Sequence, residues 1–211
     1  MKHNQQSDMK IILLGNSLVG KTCLVDRFVN ETFDEQKQTL GVAYETKTIT
    51  SKDQTLTLKI WDAARLGRGE VLPRMYYRKA KAAIICYDIC DRTSFSKLQY
   101  WVDEVKENEP DCLIYLAGTK VDLAKNPEKR EVFNNEIVKY ADSIEVKYIE
   151  TSAKLNLNIQ KLFFIIFEDF LESITNSNLE NITNKSFKLN YDLDILNLDE
   201  TNKNNSNDGC C

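Results

Sequence analysis

The sequence predicts an α/β domain: a mostly parallel, six-stranded sheet with helices on both faces. Three observations predict it. Short apolar runs alternate with stretches of helical periodicity, the pattern of buried strands joined by crossover helices. The chain has 211 residues, enough for one sizeable domain with its own core. A glycine-bounded turn stands between the first apolar run and the first helical stretch.

The elements follow in order. "MKIILLG" (9–15) is an apolar run ending in glycine, a buried-strand signal. Residues 20 to 30 read as a helix. "YETKTITS" and "TLTLKIW" alternate in polarity and are rich in threonine, so they predict an antiparallel pair joined near Lys52 and Asp53. "KAAIICYDI" (81–89), "CLIYLAGTK" (112–120) and "VKYIETSA" (146–153) supply the remaining strands. "TSFSKLQYWVDEVKEN" predicts one helix with a Thr/Ser cap signal and apolar residues at Phe95, Leu98, Trp101, Val102 and Val105. "EIVKYAD" and "NIQKLFFIIFEDFLESI" read as two more helices.

The domain is expected to span residues 8–173, after a polar extension at 1–7. From Ile174 the composition turns rich in Asn, with six acids against three lysines and no proline, which predicts a disordered tail over 174–211.

Bulk chemistry narrows the function. A net charge of −4 disfavours a nucleic-acid partner. The single histidine, His3, lies in the polar N-terminal stretch, so histidine catalysis and histidine metal sites are disfavoured. The six cysteines show no paired short spacing suited to zinc and point to a reducing, cytosolic compartment. No run of 18 apolar residues marks a transmembrane helix. The start, "MKHNQQSD", is too polar for a signal peptide.

"GNSLVGKT" (15–22) fits the phosphate-cradling pattern G-x-x-x-x-G-K-[ST] and sits between a strand and a helix, as that pattern requires. Backbone N–H groups of Gly15, Asn16, Ser17, Leu18, Val19, Gly20 and the following Lys21, Thr22 and Cys23 wrap phosphates, aided by the helix N-terminus. Lys21 supplies a point charge, and Thr22 offers a hydroxyl to Mg²⁺. "GTKVDL" (118–123) then places Lys120 and Asp122 two apart after a strand, with Leu123 following. A carboxylate there accepts from the N1–H and N2–H₂ of guanine, a donor pair that adenine lacks. The Lys120 stem lies over the purine face. "ETSAKL" brings Ser152, Ala153 and Lys154 to the same end, with a backbone N–H for the guanine O6. A P-loop kinase or ATPase is disfavoured by Asp122.

These motifs, in the order "GNSLVGKT", "TLGV", "KIWD", "TKVD", "TSAK" and a final cysteine pair, resemble the Ras superfamily of small GTPases and within it the Rab family. The resemblance covers about residues 8 to 173 and the last two residues. "TLGVAYETK", "YYRKAKAAIICYD" and "CDRTSFSKLQYWV" look closest to the atypical Rab twenty-four-like branch, linked to autophagy and late endocytic traffic. The resemblance implies a P-loop NTPase fold, GTP and GDP as ligands, and Mg²⁺ as cofactor. By it, Phe33 packs on the guanine, Thr39 binds Mg²⁺ and senses the γ-phosphate, and Asp62 holds Mg²⁺ through water. Tyr44, Trp61 and Tyr76 form an aromatic surface for effectors; ordinary sheet packing is the alternative reading of these three. The implied partners are effector proteins, an exchange factor, a prenylation escort and a GDP-dissociation inhibitor. The implied form is a monomer on the cytoplasmic face of intracellular membranes.

The family pattern breaks in three places. Thr119 stands where most members have an Asn that bridges the P-loop and the base. The stretch from Lys21 to Thr39 is one residue short. In "KIWDAARLGRG", Arg65 and Leu66 replace a glycine and a glutamine. The Arg65 N–H can still meet a γ-phosphate, but Leu66 has neither donor nor acceptor with which to orient water. If that contact is worth roughly 3–5 kcal/mol, hydrolysis slows by about 10²- to 10⁴-fold. No catalytic residue is therefore assigned, and two alternatives stay open: Arg65 reaching the γ-phosphate in cis, and a pseudo-GTPase that binds without turnover.

The chain ends "SNDGCC", and Cys210 and Cys211 resemble a doubly geranylgeranylated end. Two lipids anchor stably where one is marginal. Upstream, Phe187, Leu189, Tyr191, Leu193 and Ile195 alternate, which predicts either a docking strand or a plain spacer.

Overall fold

In a computed structural model, residues 7–34, 41–51, 54–63, 72–125 and 127–180 are described. Strand β1 (Ser7–Leu14) leads into helix α1 (Lys21–Asn30). Strands β2 (Val42–Ser51) and β3 (Gln54–Ala63) run antiparallel, as their alternation predicts. Their threonines face each other, with Thr48 opposite Thr57 and Thr50 opposite Thr55 at hydroxyl distances of 3.2 and 3.1 Å. Such cross-strand pairs stabilise an edge that is only half covered.

The short helix α2 (Arg74–Tyr77), which has no clear periodic signal, precedes β4 (Ala82–Asp88). Then come α3 (Arg92–Ser96), α4 (Leu98–Asn108), β5 (Leu113–Thr119), α5 (Asn134–Ser143), β6 (Lys147–Glu150) and α6 (Ile159–Glu180). The sheet order is β2-β3-β1-β4-β5-β6, with β2 alone antiparallel, which agrees with the expected mostly parallel, six-stranded sheet.

Residue parity along β1 divides the core. Met9, Ile11 and Leu13 face a layer made by Leu24 and Phe28 of α1 and by Leu162, Phe163, Ile166 and Phe167 of α6. Phe28 and Phe163 stack there with ring centroids 3.6 Å apart. Ile12 and Leu14 face the other layer, which holds Leu98, Val102 and Val105 of α4 and Ile137 and Ala141 of α5. A parallel strand must be apolar on both faces to sit between two helical layers.

Two expectations need correction. The single helix predicted over 93–108 is two, broken at Lys97. The hydroxyls of Ser94 and Ser96 donate back to the carbonyls of Asp91 and Thr93, three residues earlier, at 2.7 and 2.8 Å. That back-bonding competes with helix propagation. The cap is also Asp91, whose carboxylate accepts from the Thr93 N–H at 2.9 Å. Second, α6 continues to Glu180, past the point where the tail was expected to begin. Residues 181–211, with Cys210, Cys211 and the 187–195 alternation, lie outside the described residues, as do 1–6.

Candidate functional site

The chain leaves β1 to one side to reach β3 and returns on the other side for β4. Ligands of α/β sheets bind in the crevice at the carboxyl ends of strands where the order reverses in this way. The turn 15–20 opens there, directly after β1.

Sterics fix the turn. Gly15 has φ +129°, and a Cβ on it would lie 2.2 Å from the carbonyl oxygen of Cys86 on β4. Gly20 caps α1 with φ +92°. Leu18 takes a left-handed φ of +65° at the exposed tip, between half-buried Asn16, exposed Ser17 and buried Val19. Lys21 folds back across the loop. Its Nζ donates to the carbonyls of Gly15 at 3.0 Å and Asn16 at 2.8 Å. Burial pushes the Lys21 ammonium below its ordinary pKa, with the Cys86 thiol and the Asp62 carboxylate acting in the opposite direction. Burial likewise pushes the Cys86 thiol up to about 12, so this sulfur is an inert wall. Cys23, also raised mainly by burial, directs its thiol at the Asp34 carbonyl.

Thr22, on the first turn of α1, and Asp62, near the end of β3, meet directly: the Thr22 hydroxyl donates to Asp62 Oδ2. Asp62 is 1% exposed. These are hard oxygen donors converging from two elements. No group of three or more His, Cys, Asp or Glu suited to a metal occurs among the described residues. Such a pair fits a cation that takes few protein ligands and completes its shell with phosphate and water, as Mg²⁺ does.

The second half of the site lies at the ends of β5 and β6. Thr119 is 4% exposed, and its Oγ1 donates towards the Val19 carbonyl at 2.5 Å and the Tyr87 carbonyl at 3.0 Å. It therefore straps β5 to the turn 15–20. Lys120, left-handed with φ +63°, pairs with Asp88 at 2.7 Å. Its Cε lies 3.9 Å from where a Cβ on Gly20 would stand. The Ser152 hydroxyl donates to Asp122 Oδ1 at 2.6 Å and fixes that carboxylate. Ser152 in turn accepts from the Leu155 N–H, and its own N–H bonds the Leu157 carbonyl. Leu123 is half-buried, Ala153 partly buried and Lys154 exposed.

Four supporting residues escape sequence reasoning. Asp88 holds Lys120; a carboxylate at the carboxyl end of a parallel strand was the available signal. Arg27 of α1 donates from Nε to the Ala153 carbonyl at 2.7 Å. Arg130 grips Glu150, the last residue of β6, with two bonds of 2.8 and 2.6 Å, and also donates to the Val132 carbonyl at 2.9 Å. Nothing local in the sequence marks Arg27 or this pair.

The three aromatic residues come together on β2, β3 and α2. Trp61 meets Tyr44 edge-on at 5.4 Å and Tyr76 at 6.0 Å. Tyr44 is 49% exposed. Lys10 of β1 underlies the cluster, with its Nζ 4.6 Å from the Trp61 ring centroid and donating to the carbonyls of Met75 and Arg78 around the end of α2. Phe33 is half-buried just beyond α1. Thr39, Arg65 and Leu66 lie outside the described residues.

A family model described as the Ras family matches residues 10–172. Among curated proteins, the chain is similar to "Ras-related protein Rab-24" of Dictyostelium discoideum, at 36% identity over 183 residues, covering 84% of this chain and 91% of that protein.

Proposed function

The chain belongs to the Ras family of small GTPases, and from that premise we propose a Rab-like, guanine-nucleotide-dependent switch in membrane traffic whose own GTP hydrolysis is slow. Members of the family bind guanine nucleotides with Mg²⁺ and hydrolyse GTP. One observation carries the reading. The turn 15–22, the Thr22–Asp62 pair, Thr119-Lys120-Asp122 and Ser152-Ala153 converge at one end of the sheet, although more than 130 residues separate the first from the last.

In this reading the N–H groups of 15–22 hold the phosphates, and Lys21 exchanges the Gly15 and Asn16 carbonyls for phosphate oxygens. Asp122, oriented by Ser152, accepts from the guanine N1 and N2 edge. Thr22, Thr39 and Asp62 are the residues that would hold Mg²⁺, which would supply charge neutralisation to the bound phosphates. Among the described residues no helix is long and apolar enough to cross a membrane. Membrane association is assigned to prenylation of Cys210 and Cys211. Tyr44, Trp61 and Tyr76 are assigned to effector binding. An exchange factor, a prenylation escort and a dissociation inhibitor are the partners this class implies.

Slow turnover rests on Leu66, which cannot orient water, and on Arg65, which replaces a hinge glycine. The test is to purify the protein, denature it and identify the nucleotide it carried. GTP is expected. GDP would overturn the slow-turnover reading and shift attention to Arg65 as a group acting in cis. No guanine nucleotide at all, even after incubation with excess GTP and Mg²⁺, would overturn the switch itself.

A further inference from the structure

Arg27 is a two-armed link. It projects, half-buried, from the last turn of α1. Its Nε donates to the Ala153 carbonyl at 2.7 Å, and its Nη1 donates to the Glu31 carbonyl at 2.6 Å. Glu31 closes α1 in a left-handed conformation with φ +59°, and a positive charge is favourable at a helix C-terminus. The guanidinium holds its donors in a rigid, planar fork. The arm engaged at Glu31 therefore sets where the other arm meets Ala153.

The Ala153 oxygen carries its whole peptide with it. A trans peptide is planar, and its C=O and N–H point in opposite directions. Fixing that oxygen on Arg27 turns the Lys154 N–H away from α1. Neighbouring N–H groups of the loop are spent inside the protein: Thr151 donates to the Gly118 carbonyl at 2.6 Å, Ser152 to the Leu157 carbonyl at 3.1 Å, and Leu155 to the Ser152 hydroxyl at 3.0 Å. Those of Ala153 and Lys154 have no acceptor among the described residues. They follow directly on Ser152, whose hydroxyl holds Asp122. The Arg27 bond occupies a carbonyl oxygen and neither of these donors, so a ligand on the donors does not compete with it.

Resting on the guanine-nucleotide reading of this site, we infer that Arg27 is a positioning residue: by fixing the Ala153 peptide it aims this N–H pair at the 6-oxo group of the purine and sets the preference for 6-oxopurine nucleotides.

The test uses the full chain, freed of bound nucleotide by chelating Mg²⁺ and reloaded with a fluorescent GDP. GDP and 6-thio-GDP are then titrated as competitors. The thio analogue keeps N1–H and N2–H₂ for Asp122 and puts a weak sulfur acceptor where O6 stood. The wild-type chain should favour GDP by about fivefold, the worth of one hydrogen bond. Arg27→Met keeps the length and loses both arms, so its preference should shrink to within about twofold. Arg27→Gln places an amide nitrogen as far along the side chain as Nε, so it should recover the wild-type preference. A residue that only supported the fold would weaken both competitors by one factor and leave their ratio alone. Arg27→Leu, with the same expectation, serves if the Met variant does not fold. A wild-type preference within about twofold, an unchanged ratio in Arg27→Met, or a loss in Arg27→Gln as large as that in Arg27→Met overturns the inference alone. Failure of GDP itself to compete on the wild-type chain overturns the guanine reading, and the inference with it.

Discussion

Replacing Arg130 with methionine tests whether the clamp between the loop before α5 and the end of β6 supports the base-reading strand ends. Arg130 and Glu150 form a bidentate pair with side chains only 17% and 19% exposed. A hydrogen bond to a charged group contributes about 1.5–3 kcal/mol. Two such bonds, reduced for partial solvent screening and for the order imposed on both side chains, leave about 2–3 kcal/mol. In a domain of this size 1 kcal/mol moves the melting temperature by about 2–4 °C, so Arg130→Met should lower it by about 5–10 °C. The control is Arg92 with Glu136, which are just as close at 2.5 Å but 53% and 29% exposed. Arg92→Met should move the melting temperature by no more than about 2 °C. Both variants are melted with the same bound nucleotide, and release of a fluorescent GDP is timed in parallel. Glu150 directly precedes Thr151 and Ser152, whose anchoring orients Asp122, so release should quicken in Arg130→Met and not in Arg92→Met. Equal melting shifts in the two variants, or unchanged release in Arg130→Met, would refute the reasoning.

Two further outcomes are expected. Leu66→Gln restores a group able to orient water and should raise single-turnover GTP hydrolysis by about 10²-fold; an unchanged rate would place the block at Arg65 instead. Gly15→Ala meets the Cys86 carbonyl at 2.2 Å as well as a φ of +129° and should cost at least about 3 kcal/mol in urea unfolding. Gly41→Ala, with φ +79° and nothing within 4 Å, should cost only about 1 kcal/mol; equal costs would show that the close approach at Gly15 is unimportant.

The sheet was legible because strands buried on both faces must be continuously apolar: every residue of Ala82–Asp88 is buried. The β2–β3 pair was legible from alternation for the converse reason, one face being covered and one wet. The break at Lys97 was not, since the apolar spacing runs straight through it and the hydroxyl back-bonds leave no mark on periodicity. The phosphate turn was readable because its glycines answer to backbone angles, which act locally. Asp88 and Arg27 were not, because each works through a contact made only by folding. Arg27 meets Ala153 from 126 residues away. Thr119 stands out in the sequence only as a departure from an asparagine; its strap to Val19 needs coordinates.

Lys10 has an optical consequence. Its ammonium lies 4.6 Å over the Trp61 ring while bonded to two carbonyls around the end of α2. A positive charge on one face of an indole shifts the energy of its excited state, so withdrawing that charge changes the colour of emission. Trp101, the other tryptophan of the chain, sits on α4 and provides a fixed background. The emission of Trp61 therefore registers whether α2 rests on Lys10, and the protein carries its own probe of the ground beneath its aromatic surface, with no dye attached.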